Sequence, residues 1–530
     1  MVDTQGRASL GSKQGSKQES QFGVIFYVTV GLSVAFCVAG VLFTKPFGDA
    51  LATTVGWIID GLGWFYLLVT AFFLVFILYV ACSKYGKIRL GGPDEKPEFS
   101  RFAWFAMLFQ AGMGIGLLFW GVAQPLLHYG TPPFGEAEPR SPEAAELGLQ
   151  YSFFHWTLHP WAIYAVVGLA VAYFSFVRGS KSLRISSVFR PLIGDRADGP
   201  LGKTIDVISI VATLFGVAVS LGLGTLQINA GLGEVFGLPT GTALQMVIIT
   251  VTAVGYMLSA STPIEKGVNI LSQASVVLAV VLLAYFVVLG PTLLQLNSMT
   301  QGIGDYITGL IPMSTDMSAF NPSPWLGAWT IFFWATWIAW APYVGAFIAR
   351  ISRGRTIREF LVGVLLAPTL FSVVWFSVFG STAIDVDNST GGAISDAAAK
   401  DPALSLFAFM DQFPLPLITS LLALFLIWIF FVAGADAGTI VLGSMSSGDL
   451  EPSRLIKLTW GVIMGLLAAI LLLAGGLTAL QNGAILAATP FAVIMVFMCW
   501  SLYKAMSEDY EEREHRPGAT SAGGGKARSS

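Results

Sequence analysis

Twelve long apolar runs separated by short polar stretches set the pattern of this chain. They lie near 22–44, 61–83, 102–123, 148–177, 204–236, 241–259, 267–296, 325–349, 361–384, 412–445, 458–480 and 482–503. A helix crossing a ~30 Å hydrocarbon core needs about 20 predominantly apolar residues, the length these runs supply. The pattern predicts an all-α polytopic membrane protein with twelve transmembrane helices. The first run is too long for a signal-peptide core and no small-residue cleavage site follows it, so it is expected to be a span. The expected organisation is a tail over 1–21, two peripheral helices and a loop over 22–100, and five helices over 101–296. An external connecting segment over 297–324, five more helices over 325–505 and a disordered tail over 506–530 follow.

Composition sharpens the class. Hydrophobic residues make up 55% of the chain, charged residues 12%, and mean hydropathy is +0.71. Soluble proteins carry about 25% charged residues, so most of this surface faces lipid or the interior of a bundle that does. A net charge of −3 without a long basic run excludes a nucleic-acid binder. Cys37, Cys82 and Cys499 are scattered through apolar runs, giving neither a disulfide framework nor metal-ligand spacing. The basic residues set the orientation. With the N-terminus inside, 26 of the 29 Lys and Arg fall on the cytoplasmic side, leaving Lys45, Arg140 and Lys400 outside. Both termini are then expected in the cytoplasm, and the external stretches 135–146 and 383–401 are acidic.

Twelve spans suit a transporter better than a simple pore. Some transporters place two inverted halves around a midplane site and use helices interrupted by Gly or Pro. The third run carries AGMGIG (111–116), whose glycines loosen a helix and free its backbone groups. The eighth carries WATWIAWAP (334–342), a tryptophan cluster ending at Pro342. Runs three to seven and eight to twelve would then form two five-helix halves, with the two interruptions at corresponding positions.

The fourth run, FHWTLHPWAIY (154–164), places Trp156, Trp161 and Tyr164 on an arc of about 140°, before any bend from Pro160. Trp337 and Trp340 lie equally deep in the eighth. Membrane tryptophans commonly form an interfacial belt or fill space. Five large aromatics at mid-span on two helices fit a cage instead, and aromatic faces attract a quaternary ammonium that has no N–H to donate. Asp436 is the one acidic residue placed well inside a run, in FFVAGADAGTI; it is a functional group or the cap of a broken helix. His155 and His159 have the i, i+4 spacing of metal ligands, but no third ligand accompanies them, and helix packing accounts for them better. No P-loop, nucleophile elbow or GxGxxG occurs, so no enzyme activity, cofactor or ATP drive is expected. Glu265 and Lys266 mark a cytoplasmic helix end. The arginine run in ARISRGRTIREF (349–360) is expected to set topology and contact anionic lipid.

These stretches together resemble the betaine–choline–carnitine transporter family. The resemblance rests on KIRLGGPDEKPEFS (87–100), AGMGIGLLFWGVAQPLLHY (111–129), FHWTLHPWAIYA (154–165), SLGLGTLQINAGL (220–232), WTIFFWATWIAWAPYVGAFIARISRGRTIREF (329–360) and GGLTALQNGAILAATPF (475–491). The likeness is greatest to short glycine betaine uptake transporters of the osmoprotectant type. It implies a five-plus-five inverted repeat (LeuT-like) preceded by two extra helices, a homotrimer, and residence in the plasma (cytoplasmic/inner) membrane. By motif position it implies an aromatic box of Trp156, Trp161, Tyr164 and Trp337, with Trp340 on the cytoplasmic exit path. Gly112, Met113 and Gly114 would meet the carboxylate or hydroxyl end of the substrate, where freed N–H groups suit an anion. The chain departs from the family in several places. Ala433 and Gly434 replace a Thr-Ser pair of sodium-coupled members; Thr213 keeps one further sodium ligand, and Val217 replaces another. Gln124 stands where Glu is usual, and Thr336 where many members carry Trp, which opens volume and adds a hydroxyl on one wall.

The expected function is secondary active import of a quaternary-ammonium compatible solute, most simply glycine betaine, by alternating access. The coupling ion is left open, with H+ possible and with Asp436 and Thr213 as coupling candidates. The alternative within transport is sodium-independent or proton-linked movement of choline, carnitine or a sulfonium analogue. A channel or an osmosensor is the alternative from another class.

Overall fold

The computed structural model describes residues 22–514 except 113, 181–183, 262–264 and 450, and side chains except those of 109–112, 261, 265–272, 513 and 514. The expected tail over 1–21, residues 515–530 of the tail expected over 506–530, and the side chains of Glu265 and Lys266 lie outside the described residues, while 506–514 are helix and not disordered. The chain forms α1 (Val24–Leu42), α2 (Thr44–Cys82), α3 (Arg101–Gly112), α4 (Ile115–Gly130), α5 (Pro142–Trp156) and α6 (Leu158–Phe176). A short α7 (Arg190–Ile193) precedes α8 (Pro200–Phe236), α9 (Thr242–Ser261), α10 (Glu265–Leu289) and α11 (Thr292–Thr315). Then come α12 (Phe332–Arg350), α13 (Ile357–Ser389), the short α14 (Ala393–Lys400) and α15 (Ser405–Met410), α16 (Pro416–Ser447) and α17 (Arg454–Glu514). Among the described residues nine helices are long and apolar enough to cross a membrane, or up to ten with a bent pair. This is a multi-pass membrane protein.

Several boundaries differ from the run pattern. The second run begins at Thr44, directly after the first helix, because residues 44–60 extend the same helix instead of forming a loop. The third run is two helices, with Gly114 extended between them (φ −168°, ψ −177°). The fourth is divided at Thr157 (φ −112°, ψ −117°), three residues ahead of Pro160, where the bend was expected. The seventh stops at Leu289, and Gly290–Pro291 turns the chain by 108° into α11. Pro291 offers no N–H to continue the ladder. Much of the expected connecting segment 297–324 is therefore helix, packed on α5 and α13.

The eighth run is not interrupted at its tryptophan cluster. The chain passes from a π turn at Gly327–Ile331 into α12, which continues through Pro342. The interruption expected at 334–342 is absent, and the π turn lies ahead of the cluster. The last two runs are two helical stretches, together the 61 residues of α17, that meet at a kink with non-helical dihedrals at Gly475 and at Gly476 (φ 59°, ψ −134°). At 1.5 Å per residue a straight helix of that length would reach ~90 Å, about three bilayer cores. The glycines are where it turns, and the second stretch runs nine residues beyond the expected boundary at 505.

The core lies around α6, whose residues are buried from His159 to Phe174. Its neighbour α12 approaches closely because both helices carry glycine at the crossing. A methyl group added at Gly345 would lie 2.9 Å from the backbone nitrogen of Gly168. Small residues at a membrane helix crossing permit such backbone approach. Outer helices α1, α2, α9 and α10 expose Leu, Val, Phe and Trp, as lipid-facing surfaces do.

Within the arginine run Arg355 turns inward, while Arg350, Arg353 and Arg358 stay exposed. Leu90 N donates to Arg355 O (2.8 Å), Gly354 N to Leu90 O (2.7 Å) and Ile357 N to Ile88 O (2.8 Å), so 88–90 and 354–357 pair as a short clasp. Arg355 is buried, lies 4.0 Å above the Trp104 ring and donates to Phe99 O. Arg353 binds Glu95 and Arg358 donates to Ala81 O. A guanidinium has enough donors to satisfy several carbonyls at once, which is why the segment serves the fold.

Candidate functional site

Four of the predicted aromatics meet where α6 crosses α12. Trp156, the last residue of α5, stands edge-to-face with Trp337 at 4.8 Å between ring centroids. Tyr164 meets Trp337 at 6.0 Å, and Trp161 meets Tyr164 at 5.4 Å. Trp156, Trp161 and Tyr164 are buried, and Trp337 is partly buried. The break at Thr157 removes the continuous arc on which the first three were placed by sequence. They converge through the turn between α5 and α6 instead. Phe333 and Phe376 also pack on Trp156, at 5.7 and 5.5 Å. Neither was singled out by sequence, because phenylalanine is common in apolar runs and carries no positional signal.

The break also supplies polar anchoring. In an unbroken helix the His155 carbonyl would bond the N–H four residues on. Here it accepts from Trp337 Nε1 at 2.9 Å. Trp156 Nε1 donates to Gln124 Oε1 at 3.0 Å. Gln124 Nε2 lies 2.8 Å from His155 Nδ1 and 3.2 Å from His128 Nε2, and His155 Nε2 lies 2.9 Å from Thr330 Oγ1. Of these side chains Gln124, His128, His155 and Thr330 are at most 1% exposed. A buried polar network of this kind persists only when its members are paired. His159 points elsewhere, to Ser314 Oγ at 3.0 Å, with its ring stacked on Trp334. The two histidines therefore serve separate packing sites and do not converge on one point.

The glycine-rich stretch borders the same cluster. Gly114 precedes the first turn of α4, and a methyl group added at Gly116 would lie 3.1 Å from Trp156 Cη2. Gly112 ends α3; Met113 lies outside the described residues. Trp340 is not among the ring contacts of the cluster. It sits one turn further along α12, paired with Tyr343 at 5.0 Å and against Gly216 of α8. The Thr336 hydroxyl bonds back to Phe332 O (2.9 Å), so the group expected on the site wall is satisfied within its own helix.

The coupling candidates lie apart from the rings. Thr213 Oγ1 donates to Ser209 O at 2.9 Å, and Val217 packs against Gly438. Asp436 is buried inside the uninterrupted α16, so it caps no broken helix. Its Oδ2 accepts from Ser259 at 3.3 Å. Asp206 and Asp387 are buried as well, near helix ends, and their carboxylates accept from Ser186, and from Ile394 and Ser395 N–H groups. These two escaped the sequence reading because each lies at the edge of an apolar run.

Aromatic faces as a class attract soft cations. Each aromatic face contributes ~0.5–2 kcal/mol toward a nearby cation. The cluster's own hydrogen bonds run to an amide and a backbone carbonyl, while its rings pack edge-to-face on one another.

The sequence matches one family of known proteins. The profile of the betaine/carnitine/choline family of transporters matches residues 24–511. The glycine betaine transporter OpuD of Bacillus subtilis is 46% identical over 92% of this chain and 95% of its own. A probable glycine betaine transporter of Desulfitobacterium hafniense is 42% identical over 92% of this chain and 98% of its own. The ectoine/hydroxyectoine transporter of Virgibacillus pantothenticus is 39% identical over 92% and 97%.

Proposed function

The chain belongs to the betaine/carnitine/choline family of transporters, and from that premise we propose that it imports glycine betaine across the cell membrane. It is a transporter and not an enzyme. Overall identity does not settle the cargo, because relatives of similar likeness carry glycine betaine or ectoine. The observation that carries the proposal is the chain of ring contacts that joins Trp156 to Trp337, Trp337 to Tyr164 and Tyr164 to Trp161 in the buried core. In the proposed mode the trimethylammonium group lies among these rings, and the carboxylate faces the start of α4 beyond Gly114. The twelve expected spans work as a five-plus-five inverted repeat with two leading helices and cytoplasmic termini, and three copies assemble. The site alternates between the two faces of the membrane.

Ion coupling without the usual sodium pair is the second part of the proposal. Ala433 and Gly434 offer no hydroxyl, Val217 offers none, and the Thr213 hydroxyl is engaged by its own helix. A hard cation needs several oxygen ligands. Asp436 is then the candidate for proton linkage.

Uptake of radiolabelled glycine betaine by cells lacking other uptake systems tests the site. Trp156→Leu and Trp337→Leu should each raise the apparent KM by about 3- to 30-fold, the loss of one cation–π contact. Membrane levels should stay normal. Wild-type KM in both variants removes the assignment, and saturable uptake of choline or ectoine but not glycine betaine redirects the substrate.

A further inference from the structure

We infer that Gln124 is a positioning residue for the aromatic site, one that orients Trp156 directly and braces Trp337 through His155. The inference rests on the proposed aromatic recognition and adds to it the device that fixes the rings.

The direction of the network follows from donor chemistry. An indole N–H only donates, so Gln124 must turn its carbonyl oxygen to Trp156 (3.0 Å). Its amide nitrogen then faces His155 Nδ1 at 2.8 Å and His128 Nε2 at 3.2 Å. An amide nitrogen only donates, so both imidazole nitrogens accept. His155 therefore carries its proton on Nε2 and donates to Thr330 Oγ1 at 2.9 Å. The same residue's backbone carbonyl holds the Trp337 indole at 2.9 Å. One glutamine thus fixes the side chain of the residue whose main chain anchors the second tryptophan. Thr330 belongs to the π turn at Gly327–Ile331, so the chain of bonds joins α4, α5 and the entry to α12.

The residue type matters. A methionine would fill the same length but donate nothing and accept only weakly through its sulfur. A glutamate would keep an acceptor for Trp156 but turn a second acceptor toward two accepting nitrogens. Both imidazoles would then have to reverse their tautomers, and a negative charge would stand behind the box. The neutral amide satisfies every neighbour without charge. His128 Nδ1 is left without a hydrogen-bond partner, the one cost visible in the arrangement.

The test uses the full-length protein in proteoliposomes with radiolabelled glycine betaine. Gln124→Met should raise the apparent KM about tenfold, as expected for one hydrogen bond lost at a buried group, with maximal rate within about twofold. An ultraviolet resonance Raman difference spectrum, with Trp156→Phe identifying the Trp156 band, should show loss of the indole hydrogen bond in Gln124→Met. Gln124→Glu should retain that bond. Unchanged KM and an unchanged indole band in Gln124→Met overturn the inference. If that variant does not reach the membrane, Thr330→Val is read in its place, where a raised KM supports the chain of bonds and a wild-type KM overturns it. Failure of the recognition reading looks different. Trp156→Leu would then transport normally, while the band of the unsubstituted protein would still report the bond to Gln124.

Discussion

Trp156 is constrained on two sides, by an acceptor at its indole nitrogen and by the backbone of α4 at the far edge of its ring. The second constraint explains why residue 116 carries no side chain. A methyl group there would stand 3.1 Å from Cη2, inside normal carbon–carbon contact. The ring would have to rotate off its rotamer, at a cost of about 0.5–1.5 kcal/mol. Gly116→Ala should therefore raise the KM for glycine betaine by about 2- to 12-fold while sparing the maximal rate. An unchanged KM in vesicles would mean that Trp156 has room the structure does not show. The same scale explains what sequence overlooked. Gln124 stood out as a departure from the family, but its partners come from two other elements, and no spacing rule connects residue 124 to residues 155 and 156.

At the scale of elements, the breaks carry the function-bearing geometry. The interruption at Thr157 releases a carbonyl for Trp337, and Gly114 ends one helix where the next begins against the site. Gly476 lets α17 turn through a backbone region open only to glycine. The clasp between 88–98 and 353–357 is the corresponding element at the end opposite the acidic loops. Within it the Glu95 carboxyl sits below its ordinary range, chiefly because Gly92 N–H donates to it and then because Arg353 does. A carboxylate lowered in the fold adds stability above its unfolded value, and this is lost as pH falls through the lower folded value. Glu95→Gln should therefore lower the melting temperature at pH 7, with the difference from wild type shrinking as pH falls below about 4. A difference that grows on acidification would reverse the sign of the argument. The clasp should be insensitive between pH 6 and 8.

For the whole molecule, the open question is what drives transport. By the resemblance a sodium site would draw oxygens from α8 and α16, and one place where the two helices meet brings Val217 against Gly438, neither with a side-chain oxygen. Replacing external sodium by potassium should leave more than half of glycine betaine uptake in proteoliposomes, and an inward proton gradient should accelerate it. Uptake abolished without sodium would show that backbone carbonyls alone make the ion sites. Asp436→Asn separates the two outcomes further, since proton linkage should vanish while substrate binding, read by tryptophan fluorescence, persists.

The apolar runs by themselves determined the membrane class, and most helices fall within a few residues of where those runs lie. Burial in lipid forces backbone groups to bond within each segment, so length and apolarity suffice to place a helix. The aromatic residue types were likewise legible, and four of the five ring positions named from sequence meet in space. Hydrophobicity does not encode where a helix breaks inside an apolar stretch. The turn at Thr157, the uninterrupted passage through Pro342 and the bend after Leu289 follow from packing against neighbours. The network of Gln124, His155 and Thr330 belongs to the same category. Its members are distant in sequence, and their hydrogen bonds exist only because three elements share one buried volume from which water is excluded, so each polar group must find its partner in another element.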